Sequence, residues 1–213
     1  MKFKGLRGEV RTNEPMSEHT SFRIGGPADA FVVPEDRDDL ATLLAEVRET
    51  GVPYLVLGGG TNLLVRDRGC RGVVISLKKI CSIEVEREYR SLGGSFAVLH
   101  ADAGAALPQL LAFAMGHGLT GLEFATGIPG TVGGAICMNA GTAQGEFGDV
   151  VETVTLLAPT GDVIQRQCAE MGFGYRTANI PPGHIVLDAK VRLRFGDAAG
   201  IQSQARKLME QRK

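Results

Sequence analysis

The segment from Thr126 to Gly141 restricts the fold of this chain more than any other part of the sequence. It reads Thr-Gly-Ile-Pro-Gly-Thr-Val-Gly-Gly-Ala-Ile-Cys-Met-Asn-Ala-Gly, so five of its sixteen residues are glycine. Glycine has no side chain, which lets the backbone approach another group closely. Long ordered loops are usually functional, and this favours a binding loop over a purely structural one. We therefore interpret the segment, with a rigid turn at Ile128-Pro129-Gly130, as one wall of a ligand site.

A second glycine cluster, Gly58-Gly59-Gly60-Thr61-Asn62-Leu63, follows the apolar run 54–57. It is not a Walker A motif, because no Lys-Ser or Lys-Thr pair follows, and its spacing differs from the dinucleotide fingerprint. A strand followed by successive free backbone N–H groups can hold a pyrophosphate without a lysine. A tight turn is an equally good interpretation of these residues alone. Two glycine-rich loops in one small chain suggest a large phosphate-bearing cofactor held from two sides.

Composition excludes several classes of protein. The chain has 213 residues, of which 44% are hydrophobic and 22% charged, as in an ordinary soluble globular protein. Its net charge of -1 gives no electrostatic reason to bind nucleic acid or an anionic membrane surface. We find no signal peptide and no apolar stretch near the ~20 residues that cross a bilayer. We therefore expect a cytoplasmic protein with reduced cysteines. The cysteines form no CxxC pair and lie near no histidines at zinc-ligand spacing, so we expect no metal site.

The local patterns predict an α+β chain of two units, 1–80 and 81–213. In the first unit, the apolar positions Leu40, Leu43, Leu44 and Val47 indicate a helix that opens near residue 35 and stops at Gly51. Strands are expected around it, at 22–24, 30–33, 54–57 and 72–77.

The second unit is predicted to form a mostly antiparallel sheet. Hairpins are expected at 83–101 and 151–165, with a helix after Gly104 between them. Alternation near the end of strand 184–195 predicts that Val191, Leu193 and Phe195 point inward. A last helix begins at Asp197, and its predicted apolar face is Ile201, Ala205, Leu208 and Met209.

Five motifs, in order along the chain, resemble the UDP-N-acetylenolpyruvoylglucosamine reductase family. The similarity runs from about residue 17 to the end. Its motifs are His19-Thr-Ser-Phe-Arg-Ile-Gly-Gly-Pro-Ala28, Leu57-Gly-Gly-Gly-Thr-Asn-Leu-Leu64, Gly121-Leu-Glu-Phe-Ala-Thr-Gly-Ile-Pro-Gly-Thr-Val-Gly-Gly-Ala135, Met138-Asn-Ala-Gly141 and Phe173-Gly-Tyr-Arg176.

The resemblance implies an FAD-binding fold of the vanillyl-alcohol-oxidase (PCMH) type and a flavoenzyme of peptidoglycan precursor synthesis, and hence of cell wall biogenesis, cell shape and cell division. In this family NADPH reduces FAD, and the enolpyruvyl group of a UDP-sugar is then reduced to give UDP-N-acetylmuramate. By the resemblance, the loop 58–63 holds the FAD pyrophosphate, the loop 127–141 lines the rest of the cofactor, a backbone contact lies near Val186, and Arg176 is the catalytic arginine. The implied cofactor-binding residues are Gly58, Gly59, Gly60, Thr61, Asn62, Leu63, Gly127, Ile128, Pro129, Gly130, Thr131, Gly133, Gly134, Asn139, Gly141 and Val186.

The chain also departs from the family pattern. The family has a third, substrate-binding domain that carries a serine proton donor in a Gly-Ser-Val-Phe-type motif and a glutamate near the C-terminus, and neither is present. We therefore expect the FAD-binding part of a reductase, truncated at its C-terminus, monomeric, and poor at reducing the sugar by itself. The stretch Gly58–Leu64 has no histidine, which favours non-covalent FAD. Two alternatives stay open: another non-covalent FAD oxidoreductase of the same fold, and a non-catalytic nucleotide-binding module.

Overall fold

The first part of the chain forms a four-stranded sheet with one long helix. The computed structural model describes residues 3–210. Its first elements are β1 (Glu9–Pro15), β2 (Pro27–Val33), α1 (Arg37–Thr50), β3 (Tyr54–Leu57) and β4 (Cys70–Ser76). The strand order is β1-β2-β4-β3, in which β1 pairs antiparallel with β2 while β2 and β3 both run parallel to β4.

The second part forms an antiparallel sheet, as the sequence predicts. Its strands are ordered β11-β10-β12-β6-β5, and the short β7 pairs with the end of β12. The elements are β5 (Ile83–Ser91), β6 (Gly94–Asp102), α2 (Leu107–Gly116), β7 (Leu119–Thr120), α3 (Val132–Cys137), β8 (Gly141–Thr142), β9 (Gly145–Glu146), α4 (Phe147–Val150), β10 (Val151–Leu157), β11 (Val163–Gln167), β12 (Ile185–Phe195) and α5 (Ala198–Glu210). Short 3-10 turns lie at Met16–Glu18, Glu123–Ala125 and Cys168–Met171.

Helix α1 begins and ends where its sequence signals lie. The carboxylate of Asp36 accepts a hydrogen bond from the backbone N–H of Asp39, which satisfies one of the free donors of the first turn. Gly51 ends the helix in the left-handed conformation, with φ of 64°. The four predicted apolar side chains are buried against the first sheet. The predicted helix and its stop are therefore confirmed.

The two central strands of the first sheet, β2 and β4, are buried on both faces, as expected for parallel strands. Ala30 and Val32 of β2 belong to the same hydrophobic cluster as α1 and the second sheet. Phe31 and Val33 point to the opposite face and pack with Met16 in a smaller cluster. Because the larger cluster runs across residue 80, the division at that residue stays a prediction.

Arg37 links the helix of the first sheet to the second sheet. Its guanidinium donates to Asp102 of β6 and lies 2.8 Å from Asp188 of β12. His100, also on β6, lies 3.4 Å from Asp102. We call Arg37, His100, Asp102 and Asp188 the interlayer cluster. Burial, the largest influence, acts to raise the pKa of Asp102, but hydrogen bonds from His100, Arg37 and the Ser82 N–H outweigh it and lower the pKa to about 2.

Three local predictions are wrong. Phe22–Ile24 is not a strand, because Arg23 takes a left-handed φ of 54° that breaks the extended chain, and no strand among residues 3–210 pairs with it. Phe195 is 36% exposed because it is the last residue of β12. Met209 is 45% exposed and lies off the apolar face of α5.

The predicted last helix is confirmed up to Glu210, and residues 211–213 lie outside the described part of the chain. Within residues 3–210, every helix is too short or too polar to span a bilayer.

Candidate functional site

A cavity of about 920 Å³ lies at the edge of the first sheet where β3 and β4 end. The two strands are parallel neighbours, so Leu57 and Ser76 bring their carboxyl ends to the same edge. Ligands of open α/β sheets bind in this position. The opposite wall is formed by the loop 127–131 and by α3. The volume is at the upper end of the range of roughly 300–1,000 Å³ for ligand sites, so a large cofactor fits.

Every residue that the sequence predicted for the site lines this cavity, although their roles toward a ligand stay predictions. Segments far apart in sequence meet here: the loop after β3, the loop before α3, the start of β12 and the turn that carries Arg176. These lining residues are Gly58, Gly59, Gly60, Thr61, Asn62, Leu63, Gly127, Ile128, Pro129, Gly130, Thr131, Gly133, Gly134, Asn139, Gly141, Arg176 and Val186.

The two glycine loops touch each other. A Cβ built on Gly59 would lie 2.9 Å from the Cα of Gly130, and one on Gly58 would lie 2.7 Å from Thr131 Oγ1. The hydroxyl of Thr61 donates to the carbonyl of Pro129 at 3.4 Å. A side chain at position 59 would push the two backbones apart. The glycines therefore bring two loops together at one end of the cavity.

The loop after β3 leaves backbone donors free. Within residues 3–210, no protein acceptor receives a hydrogen bond from the backbone N–H groups of Gly59, Gly60, Thr61 or Asn62. Such groups are normally paired with protein or water, so a run of free ones at a cavity wall is a place for an anionic ligand. The carbonyl of Gly60, in contrast, accepts from the Ser21 N–H at 3.0 Å, which fixes the loop from behind.

The segment 126–141 is not a loop throughout. Its second half contains α3, which is capped by Thr131. The Gly133 N–H of this helix donates to the carbonyl of Ala103, the residue after β6, at 2.9 Å. A Cβ at Gly133 would lie 2.9 Å from that of Ala103, so the absence of a side chain at Gly133 lets α3 pack closely against this residue. The space beside Gly134 is open, because the nearest atom to a Cβ built on Gly134 would be Thr131 Oγ1 at 3.6 Å.

Arg176 lies at the rim of the cavity in a tight turn. Gly174 and Thr177 exchange two backbone hydrogen bonds, so Tyr175 and Arg176 form the tip. Tyr175 is 89% exposed, and the Arg176 guanidinium carbon is 5.8 Å from the centre of its ring. This turn gives the cavity a positive group at one end.

The sequence analysis missed several lining residues, among them Lys78, Cys137 and Glu146. Lys78 follows β4, and it reaches the cavity only because β4 lies beside β3. Cys137 is the last residue of α3 and lines the cavity, and burial raises the pKa of its thiol. No sequence motif marks Lys78 or Glu146, which only the chain topology brings to the site, whereas Cys137 lies within the predicted segment 126–141.

One other group of side chains has the composition of a metal site. The ligand atoms of His100, Asp102 and Asp188 lie within 4.8 Å of one another. Arg37 already pairs with both carboxylates, and its single positive charge offsets one of their two negative charges. We therefore interpret the interlayer cluster as an ion-pair network between the two sheets.

Comparisons with known proteins agree with this geometry. The family model described as an FAD binding domain matches residues 28–166. The UDP-N-acetylenolpyruvoylglucosamine reductase of Geotalea uraniireducens is 48% identical over 208 residues, covering 98% of this chain and 66% of the relative. The chain thus spans about two thirds of the length of the curated relative that it matches.

Solved structures give the same result for the fold. The crystal structure of the UDP-N-acetylenolpyruvylglucosamine reductase of Thermus caldophilus is 33% identical and superposes with a TM-score of 0.80, covering 97% of this chain and 69% of that one. A VAO-type flavoprotein from Myceliophthora thermophila C1 is 16% identical with a TM-score of 0.62, covering 79% of this chain and 32% of its own, so the likeness is one of fold. The predicted FAD-binding α+β fold is thereby confirmed. The chain belongs to the UDP-N-acetylenolpyruvoylglucosamine reductase family, and residues 28–166 are its FAD binding domain.

Proposed function

We propose that this chain binds FAD non-covalently in the cavity and forms the FAD-binding part of an NADPH-dependent reductase. Its substrate is the enolpyruvyl ether of a UDP-sugar and its product UDP-N-acetylmuramate, a precursor of peptidoglycan. The observation that carries the proposal is the row of unpaired backbone N–H groups from Gly59 to Asn62 at the cavity wall.

The residues present fit FAD in size and charge. The unpaired N–H groups suit a diphosphate, and the close approach of Gly59 to Gly130 makes a cradle that side chains would fill. Lys78 and Arg176 add positive charge to the lining, against one carboxylate from Glu146. The stretch 58–64 has no histidine that could be joined covalently to a flavin.

The chemistry would be divided between cofactor and protein. FAD, when bound, supplies hydride chemistry. The glycine loops hold the diphosphate, and Arg176 stabilises the negative charge that develops on the carboxylate of the enolpyruvyl group. A guanidinium suits this task, because it is always charged and presents several N–H donors in a fixed plane.

A titration of the purified chain with FAD tests cofactor binding. We expect saturable quenching of flavin fluorescence and release of all flavin on acid precipitation. No saturable binding would refute the proposal, and flavin that precipitates with the protein would refute a non-covalent site.

Two other functions would give different results in the same samples. A different FAD oxidoreductase would bind FAD but would not reduce the enolpyruvyl UDP-sugar after the rest of a reductase is supplied. A non-catalytic nucleotide-binding module would bind adenine nucleotides without oxidising NADPH in the presence of FAD. We keep the monomeric state and the cytoplasmic location as predictions.

A further inference from the structure

Asn139 has a backbone conformation that few residues adopt. It lies two residues after the end of α3, its φ is 41°, and it is 4% exposed. Asparagine is one of the few residues other than glycine that takes the left-handed region readily. The Asn139 side chain is therefore buried next to a sharp change of chain direction.

The Asn139 side chain makes two hydrogen bonds to backbone. Its Oδ1 accepts from the Gly148 N–H at 2.8 Å, and its Nδ2 donates to the Gly174 carbonyl at 3.1 Å. An N–H can only donate and a carbonyl can only accept, so these partners fix which end of the amide is which. Although Asn139 lines the cavity, both ends of its amide are therefore bonded to protein.

Gly174 is the base of the turn that carries Arg176. Its N–H donates to the Thr177 carbonyl at 3.1 Å, and its own carbonyl accepts from the Thr177 N–H at 3.3 Å and from Asn139. Arg176 itself has a left-handed φ of 53°. Both residues at the tip are exposed, so the turn depends on its base for a fixed position.

The segment before the turn is anchored separately. Phe173 packs over Gly148 in α4, where a Cβ on Gly148 would lie 3.1 Å from the Phe173 Cβ. The chain is thus held at residue 173 by packing and at residue 174 by Asn139. Loss of the Asn139 bonds should release the tip without unfolding the segment before it.

We propose that Asn139 is a positioning residue that ties the Arg176 turn to the glycine loop 127–141. It holds the guanidinium of Arg176 at a fixed place relative to the cofactor site, and its own side chain does not contact the cofactor. The inference rests on the proposed role of Arg176. The expectation that Asn139 contacts FAD is the alternative, and the FAD affinity of the Asn139 variants tests it.

Fluorine NMR tests the tether without ligand or activity. The chain has three tyrosines, Tyr54, Tyr89 and Tyr175, so 3-fluorotyrosine labelling gives one reporter in the turn and two outside it. Asn139→Asp keeps the acceptor for Gly148 but replaces the donor to Gly174 by a second oxygen. Asn139→Ala removes both bonds. The matched control is Asn13→Asp, because Asn13 is an exposed asparagine with a left-handed φ of 55° on β1.

We expect the Tyr175 resonance to shift and narrow in both Asn139 variants, while Tyr54 and Tyr89 keep their positions. The control Asn13→Asp should show all three tyrosine resonances at their wild-type positions. FAD affinity of Asn139→Asp should stay within about threefold of the wild type, whereas loss of a direct cofactor bond costs tenfold or more. An unchanged Tyr175 resonance in Asn139→Asp, or a fall in FAD affinity of about tenfold, would overturn the proposal.

Hydrogen exchange of the wild type gives a test that does not depend on a variant that folds. The amides of Gly148 and Thr177 should be protected, and exchange of Gly148 at the rate of an unfolded chain would contradict the tether. If the wild type failed to bind FAD, the proposed function would fall, while the fluorine and exchange data would still decide whether Asn139 holds the turn.

Discussion

Replacement of Gly59 by alanine is the sharpest test of how the two glycine loops work. The added Cβ would lie 2.9 Å from the Cα of Gly130, about 0.5 Å closer than the 3.4 Å at which ordinary contact begins. The neighbour is backbone and cannot turn aside as a side chain could. Overpacking of this kind costs about 1–3 kcal/mol. If the loops separate to relieve it, the free N–H groups from Gly59 to Asn62 move off the diphosphate.

We therefore expect Gly59→Ala to bind FAD about 5- to 150-fold more weakly, which is that energy expressed as an affinity ratio. The assay is flavin fluorescence quenching, with thermal unfolding of each protein measured in parallel. Gly116→Ala is the matched control, because Gly116 has no positive φ and nothing within 4 Å of an added Cβ. Equal FAD affinity in Gly59→Ala and Gly116→Ala would refute the argument that the close approach of the loops is needed.

Three further predictions concern charge and access. Asp102→Asn should lower the free energy of unfolding by about 2 kcal/mol at neutral pH, the value of a pKa lowered from 3.8 to about 2. A carboxyl group with a lowered pKa stabilises the fold at pH values above its ordinary pKa. The difference in unfolding free energy between wild type and variant, measured in urea, should therefore vanish as the pH falls from about 4 to 2. A difference that stays constant over this range would exclude the ion pair with Arg37 as its cause. In the complete reductase, Arg176→Ala should keep FAD affinity within about threefold of the wild type but slow NADPH-dependent reduction of the enolpyruvyl UDP-sugar roughly 10²–10³-fold. Unchanged turnover would remove Arg176 from the mechanism. FAD at about ten times its Kd should slow alkylation of Cys137 roughly tenfold by mass action. Peptide mass spectrometry measures the alkylation, with the exposed Cys81 as internal reference. Equal protection of both thiols would count against binding in this cavity.

Local sequence patterns predicted the elements that have a clear hydrophobic period or a strong turn signal. The helix closed by Gly51 and the hairpins at 83–101 and 151–165 are of this kind, because their signals lie within a few residues. Strand β1 gave no such signal. Its residues are polar and largely exposed, and it exists because it pairs with β2 at the edge of the sheet.

The wrong predictions have a common physical cause. Phe22 and Ile24 alternate with Arg23 as a strand would, but they are 65% and 50% exposed because no partner strand lies beside them. Phe195 continues the alternation of β12, yet it lies where the sheet ends. The period of apolar residues along the sequence shows which side chains could face a core. Only the packed structure shows whether a core is present at that point.

The sequence by itself determined the family, the two glycine loops and a set of candidate site residues that proved to line the cavity, because glycine clusters and motif order are local properties of the chain. The tertiary structure alone decided that Gly59 meets Gly130, that Lys78 reaches the cavity beside β3, and that the amide of Asn139 is bonded to Gly148 and Gly174. These contacts join residues that are distant in sequence. They depend on where each backbone N–H and carbonyl points after the sheets have packed, and no spacing along the chain encodes that direction.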